Sequence, residues 1–142
     1  MPKSEIDEKN EANFTEDVKR IGKELLRAVN PKLAGNQKFE LLDHENGCGL
    51  KRVDPISLRY MDKIEILTNY NYNVKKNVLS LSPIPSQFRY RIHCSIVLSH
   101  RPSAFKINVS DGDICTQKEI ENAKKIIIKK VLEQLNMPYG WY

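Results

Sequence analysis

The sequence predicts an α+β domain: a three- to five-stranded, mostly antiparallel sheet with an N-terminal and a C-terminal helix packed on one face. Three patterns predict it. Residues 88–98 alternate apolar and polar without a break, as a strand with one buried face requires. Val18, Ile21, Leu25 and Ala28 recur at helical spacing early in the chain. Ile120, Ala123, Ile127, Val131 and Leu135 do the same near its end.

Residues 1–13 are polar and mixed in charge, and are expected to form a flexible leader before a single domain over 14–142. Asn13 or Thr15 is the expected cap of the first helix, with Glu16 and Asp17 at the positive end of its dipole. Asn30-Pro31 ends that helix, because proline cannot extend the hydrogen-bond ladder.

The stretch from Lys32 to Val53 carries weaker signals. Phe39, Leu41 and Leu42 suggest a short strand, Asn46-Gly47 a turn, and Gly49 a looser segment. Residues 54–68 fit a helical face through Ile56, Tyr60 and Ile64, yet also alternate like a strand; a strand over 57–67 is the expectation. Asn69 to Asn77 reads as a polar turn and Val78 to Leu81 as another short strand, with Pro83 and Pro85 after it.

Phe88, Tyr90, Ile92, Cys94, Ile96 and Leu98 then form the buried side of a long strand, the clearest element of the sequence. Arg101-Pro102-Ser103 predicts a turn, and Phe105, Ile107 and Val109 a hairpin partner. Thr116-Gln117-Lys118-Glu119 is a capping box, with Thr116 and Glu119 satisfying amides reciprocally. Asn136-Met137-Pro138 ends the second helix, and Tyr139, Trp141 and Tyr142 form an aromatic tail.

Composition narrows the function classes. A 40% hydrophobic and 29% charged chain of 142 residues suits one globular domain. No apolar run approaches the ~20 residues of a membrane helix, and the N-terminus has no apolar stretch of signal-peptide type. Cys48, Cys94 and Cys115 are an odd set without C-x-x-C spacing, which points to a reducing intracellular compartment, cytoplasmic or nuclear.

A net charge of +5 permits a polyanionic partner without demanding one, so the arrangement of the cations decides. Lys118, Lys125 and Lys129 fall within about 40° on a helical wheel and span roughly 16 Å. Lys19, Lys23 and Arg27 form a second row at steps of four, with Arg20 alongside. Arg89, Arg91 and His93 project from the long strand. A lysine-rich face is often merely solvated, and i,i+4 pairing of Glu121 with Lys125, or of Glu133 with nearby lysines, would partly neutralise it.

The order helix, antiparallel strands, helix resembles the double-stranded-RNA-binding domain, most closely over residues 85–135. That family opens its second helix with a small hydroxyl residue, two lysines, an apolar residue two further on and another lysine next to it. Here Thr116, Lys118 and Ile120 match, while Gln117 and Glu121 replace two of the lysines, and Gly112 is all that remains of the glycine-rich lead-in. The resemblance implies phosphate contact across the major groove. Degenerate members of the family that bind proteins imply the other expectation.

No catalytic motif stands out: there is neither a Walker-type phosphate loop nor a G-x-G-x-x-G fingerprint. His44 and Cys48, four apart, lack a second ligand pair for a metal, and a reactive Cys48 needs a held base. The expectation is a non-enzymatic module without cofactor or metal. Its partner is nucleic acid, RNA first, contacted through Lys118, Lys125, Lys129, Lys19, Lys23, Arg27, Arg89 and Arg91. The alternative is a protein partner or a homodimer, through the open sheet face or through Tyr139, Trp141 and Tyr142. Tyr70 and Tyr72 are candidates for base stacking, or simply turn tyrosines.

Overall fold

A computed structural model describes residues 4–53, 58, 61–71, 88–99 and 101–135. The elements run α1 (Glu5–Val29), β1 (Glu40–His44), β2 (Gly47–Val53), β3 (Met61–Tyr70), β4 (Tyr90–Leu98), β5 (Arg101–Ser110) and α2 (Gln117–Leu135). The five strands form one antiparallel sheet in chain order, β1-β2-β3-β4-β5. Helix α1 lies over β1–β3 and α2 over β4 and β5, side by side on one face. The fold class is therefore the α+β arrangement that the alternating and helical patterns predict.

The core lies between the layers. Phe14, Val18, Ile21 and Leu25 of α1 and Ile120, Ala123, Ile127 and Val131 of α2 close over Leu50, Ile64, Ile66, Ile92, Cys94 and Ile96. Cross-strand partners share a face, so the register fixes which residues point inward: Cys48, Ile66 and Cys94 in one row, Leu50, Ile64 and Ile96 in the next.

Several sequence expectations need correction. Residues 5–13 are not a leader but the first turns of α1. Ser4, rather than Asn13 or Thr15, is the cap, its hydroxyl accepting from the Asp7 amide at 3.1 Å. This part has no apolar stripe to betray it. Polar contacts hold it instead, with the Tyr70 hydroxyl donating to Asp7 at 2.9 Å.

A second strand, β2, occupies the region that Gly47 and Gly49 had marked as loose. Glycine is needed there because a Cβ on Gly47 would stand 2.1 Å from the Ile66 carbonyl oxygen. Strand β3 runs further than expected, to Tyr70, so Asn69 belongs to a strand and not to a turn.

The β4–β5 connection comes before Arg101 and not at Arg101-Pro102-Ser103, since Leu98 already pairs with Arg101. Ser99, next after β4, takes the left-handed conformation, φ 51°. Pro102 sits inside β5, which an edge strand permits because one side of its ladder is unpaired. The capping box of α2 is in place: Glu119 N donates to Thr116 Oγ1 at 3.2 Å and Thr116 N to Glu119 Oε1 at 3.1 Å. The expected strand at Val78–Leu81, residues Tyr72 and Pro83–Pro85, and the tail beyond Leu135 lie outside the described residues.

Candidate nucleic-acid interface

The inner stripe of α2 turns Lys118, Lys125 and Lys129 away from the sheet, and all three are exposed. On α1 the same logic exposes Lys23 and Arg27 opposite Val18, Ile21 and Leu25. The helices run in the same direction. Near their starts Asn10 Nδ2 donates to the Asp113 carbonyl at 3.3 Å; further along, Lys124 meets Glu24 at 2.8 Å. Lys125 and Lys129 are thus level with the C-terminal half of α1. Arg27 on α1 and Lys125 and Lys129 on α2 therefore stand outward on adjoining helices, while Lys23 lies further round α1, lining a groove with Lys19, Leu41 and Asp43.

Charge changes sign along α1. Residues 5–17 hold six acids against Lys9, whereas residues 18–32 hold five bases against Glu24. Parallel packing brings the acidic half beside Asp111, Asp113 and the start of α2. Lys118 therefore lies nearer the acidic end than Lys125 and Lys129 do.

Two acids beside these cations, Glu24 and Glu121, are committed to Lys124. Glu121 pairs with Lys124 at 2.7 Å, not with Lys125. The reason is positional: Lys124 faces α1, where Glu24 adds a second carboxylate. Lys130 is drawn over the Phe105 ring, 4.9 Å from its centroid. Among the described residues, Lys23, Arg27, Lys118, Lys125 and Lys129 have no ion-pair partner.

Three of the sequence-predicted cations do not join them. Lys19 is turned toward β1 and bridges Asp43 at 3.1 Å. Arg89 does not project outward from the strand: it precedes β4 and is drawn between Asp7 at 3.4 Å and Asp113 at 3.8 Å, with the Tyr70 hydroxyl at 3.4 Å. Arg91 pairs with Asn69 and Asn108 on the sheet face opposite the helices. Arg20, beside the row, is engaged by Asp17. Tyr70 is buried against Tyr90, ring centroids 5.1 Å apart, so it is no stacking platform. Tyr139, Trp141 and Tyr142 lie outside the described residues.

The structure separates Cys48 from His44. Cys48 is not a loop residue: it lies in β2, points inward, and donates to the Val18 carbonyl at 3.5 Å. His44 pairs with Gly47 and so projects from the other face. Burial pushes the Cys48 thiol up to about 11 and those of Cys94 and Cys115 to about 12, far from nucleophilic thiolates. A polar cleft of about 360 Å³ lies between α1 and the β5–α2 connection, lined in part by Asn10, Asn13, Asp17, Arg20 and Cys115. Among the described residues, no group of three or more His, Cys, Asp or Glu is placed to hold a metal ion, and no helix is long and apolar enough to cross a membrane.

Sequence reasoning missed the Glu24–Lys124 tether. The signal was present: on the helical wheel Lys124 falls between the inner stripe and the outer lysine row. Comparison with family models, with curated proteins and with solved structures finds no match.

Proposed function

We propose that this domain is a non-enzymatic, intracellular binding module that holds structured nucleic acid by its phosphates, with RNA as the first candidate. The observation that carries the reading is the set Arg27, Lys125 and Lys129, outward on adjoining helices with Lys23 further round α1, none of them in an ion pair among the described residues. Fixed cations on a rigid layer neutralise phosphates without first breaking internal ion pairs. The likeness to the double-stranded-RNA-binding domain supports RNA through Thr116 and Lys118 at the start of the second helix, although this sheet has five strands.

The test is a titration of duplex RNA and DNA at two salt concentrations. Four phosphate contacts predict affinity falling on the order of 10²-fold between about 50 and 200 mM salt. The variant K23E/R27E/K125E/K129E should lose the helix-face site and so bind duplex more weakly, while keeping its circular dichroism spectrum. Lys118→Glu alone should weaken binding less. Unchanged affinity in the fourfold variant would end this reading.

A second reading, self-association or a protein partner through the open sheet face, is favoured by one observation. Val53 and Met61 pair across β2 and β3 on that face and are 53% and 52% exposed. It predicts a dimer in sedimentation that V53D/M61D dissolves and moderate salt leaves intact.

A further inference from the structure

Both helices lie on one side of the sheet, so its other face carries whatever the register turns outward. Four cations, Lys51, Lys63, Arg91 and Lys106, share that face with two acids, Glu40 and Glu65, among the described residues. One of those acids is occupied: Glu65 lies 3.5 Å from Lys63 and 3.7 Å from His44. Arg91, His93 and Lys106 gather at the end of the face away from Val53 and Met61. His93 and Lys106 are direct cross-strand partners, and both are exposed. Arg91 stands between the amide side chains of Asn69 and Asn108, and its Nε has no hydrogen-bond partner among the described residues. The next cross-strand row of the same face is Gly49, Glu65, Ser95 and Ala104, so its one acid, Glu65, is the carboxylate already held by Lys63 and His44.

We propose that this face is a second phosphate-binding surface, built on Arg91, His93 and Lys106, and that the domain bridges two nucleic-acid duplexes. The inference rests on the helix-face reading for its first site. Charge complementarity selects the occupant: Arg91 and Lys106 have no acid as cross-strand partner, amide side chains flank Arg91, and no Phe, Tyr or Trp lies on the described strands of this face. Geometry selects bridging. The two surfaces point in opposite directions, separated by a sheet and a helix layer ~10 Å thick. A duplex is stiff over ~150 base pairs, so a short one cannot bend round to touch both.

The experiment measures how many RNA duplexes of about 20 base pairs, far below the ~150-base-pair stiffness length, one chain holds at saturation, by analytical ultracentrifugation of the full chain. Two duplexes per chain are expected for the wild type. One is expected for R91E/K106E, and also for K51E/K106E, which leaves Arg91 in place should its reversal disturb folding. Saturation of the wild type at one duplex overturns the proposal. So does a two-duplex particle that contains two chains, or two duplexes retained by both sheet variants. Failure of the helix-face reading looks different: K23E/R27E/K125E/K129E would then keep its full stoichiometry, while the loss in R91E/K106E would still mark the sheet face.

Discussion

Lys124 of α2 lies 2.8 Å from Glu24 of α1, a contact between residues one hundred positions apart in sequence. It is the only ion pair between the two helices among the described residues, and it marks their relative height. Lys124 also meets Glu121 at 2.7 Å, so two carboxylates converge on the one α2 lysine that faces α1. The lysines left outward, Lys125 and Lys129, thereby keep their charge for solvent or ligand.

That contact makes stability depend on acidity. The hydrogen bond from Lys124 holds the Glu24 carboxyl below its usual 4.5. Asp7 is likewise lowered from 3.8, first by its hydrogen bond with Ser4, then by Tyr70 and Arg89. A carboxyl depressed in the folded state stabilises above its unfolded pKa, and that contribution disappears as pH falls through the lower folded value. The melting temperature should therefore drop as pH is taken from about 6 to about 3. The drop should be shallower in Glu24→Gln and in Asp7→Asn. Melting curves with the same acid dependence in all three proteins would contradict this account.

The pair Arg52–Asp62 predicts a much larger effect. Both side chains are buried, 4% and 2% exposed, with Nε 3.0 Å from Oδ2. Arg52 also donates to the Gln37 carbonyl at 2.9 Å and lies over the Phe39 ring, while Asp62 accepts from the Ser99 amide at 2.8 Å. The pair thus ties the β1 approach, two central strands and the β4–β5 turn together. Asp62→Ala leaves a buried guanidinium without its counter-charge and should cost about 3–5 kcal/mol in urea unfolding. Replacing both by apolar residues, R52M/D62L, should recover most of that loss, because no orphaned charge remains. A loss in Asp62→Ala that the double replacement does not reduce would refute the assignment.

Helix α1 meets β2 at Gly22, where a Cβ would lie 2.3 Å from Cys48 Sγ. Alanine ordinarily favours a helix by about 1 kcal/mol over glycine. Here overpacking, typically about 1–3 kcal/mol, should outweigh that gain. Gly22→Ala is expected to lower stability, and adding Cys48→Ala should restore it by removing the sulfur. Thermal unfolding of the single and double variants decides the matter: a stabilised Gly22→Ala would mean that the helix is not pressed against β2 at this point.

How much was legible in the sequence depends on how local its cause was. The alternation over Tyr90–Leu98, the inner stripe of α2 and the Thr116–Glu119 capping box are written in neighbouring residues, and each forms as its pattern requires. The start of α1 was not legible, because Ser4 caps a stretch whose partners Tyr70 and Arg89 are far along the chain. Nor was β2, whose glycines are there for the close backbone of β3. Pro102 read as a turn because its edge position is a property of the whole sheet.

The cations follow the same division. Side-chain period alone placed Lys23, Arg27, Lys118, Lys125 and Lys129 on outward helix faces, since each helix must bury its apolar stripe. Whether those faces adjoin, which way the helices run, and which carboxylates reach which lysines are distances between remote segments. Only tertiary packing sets them: it joined Glu24 to Lys124, turned Lys19 to Asp43 and Arg89 to Asp7, and put Arg91 on the opposite side of the sheet.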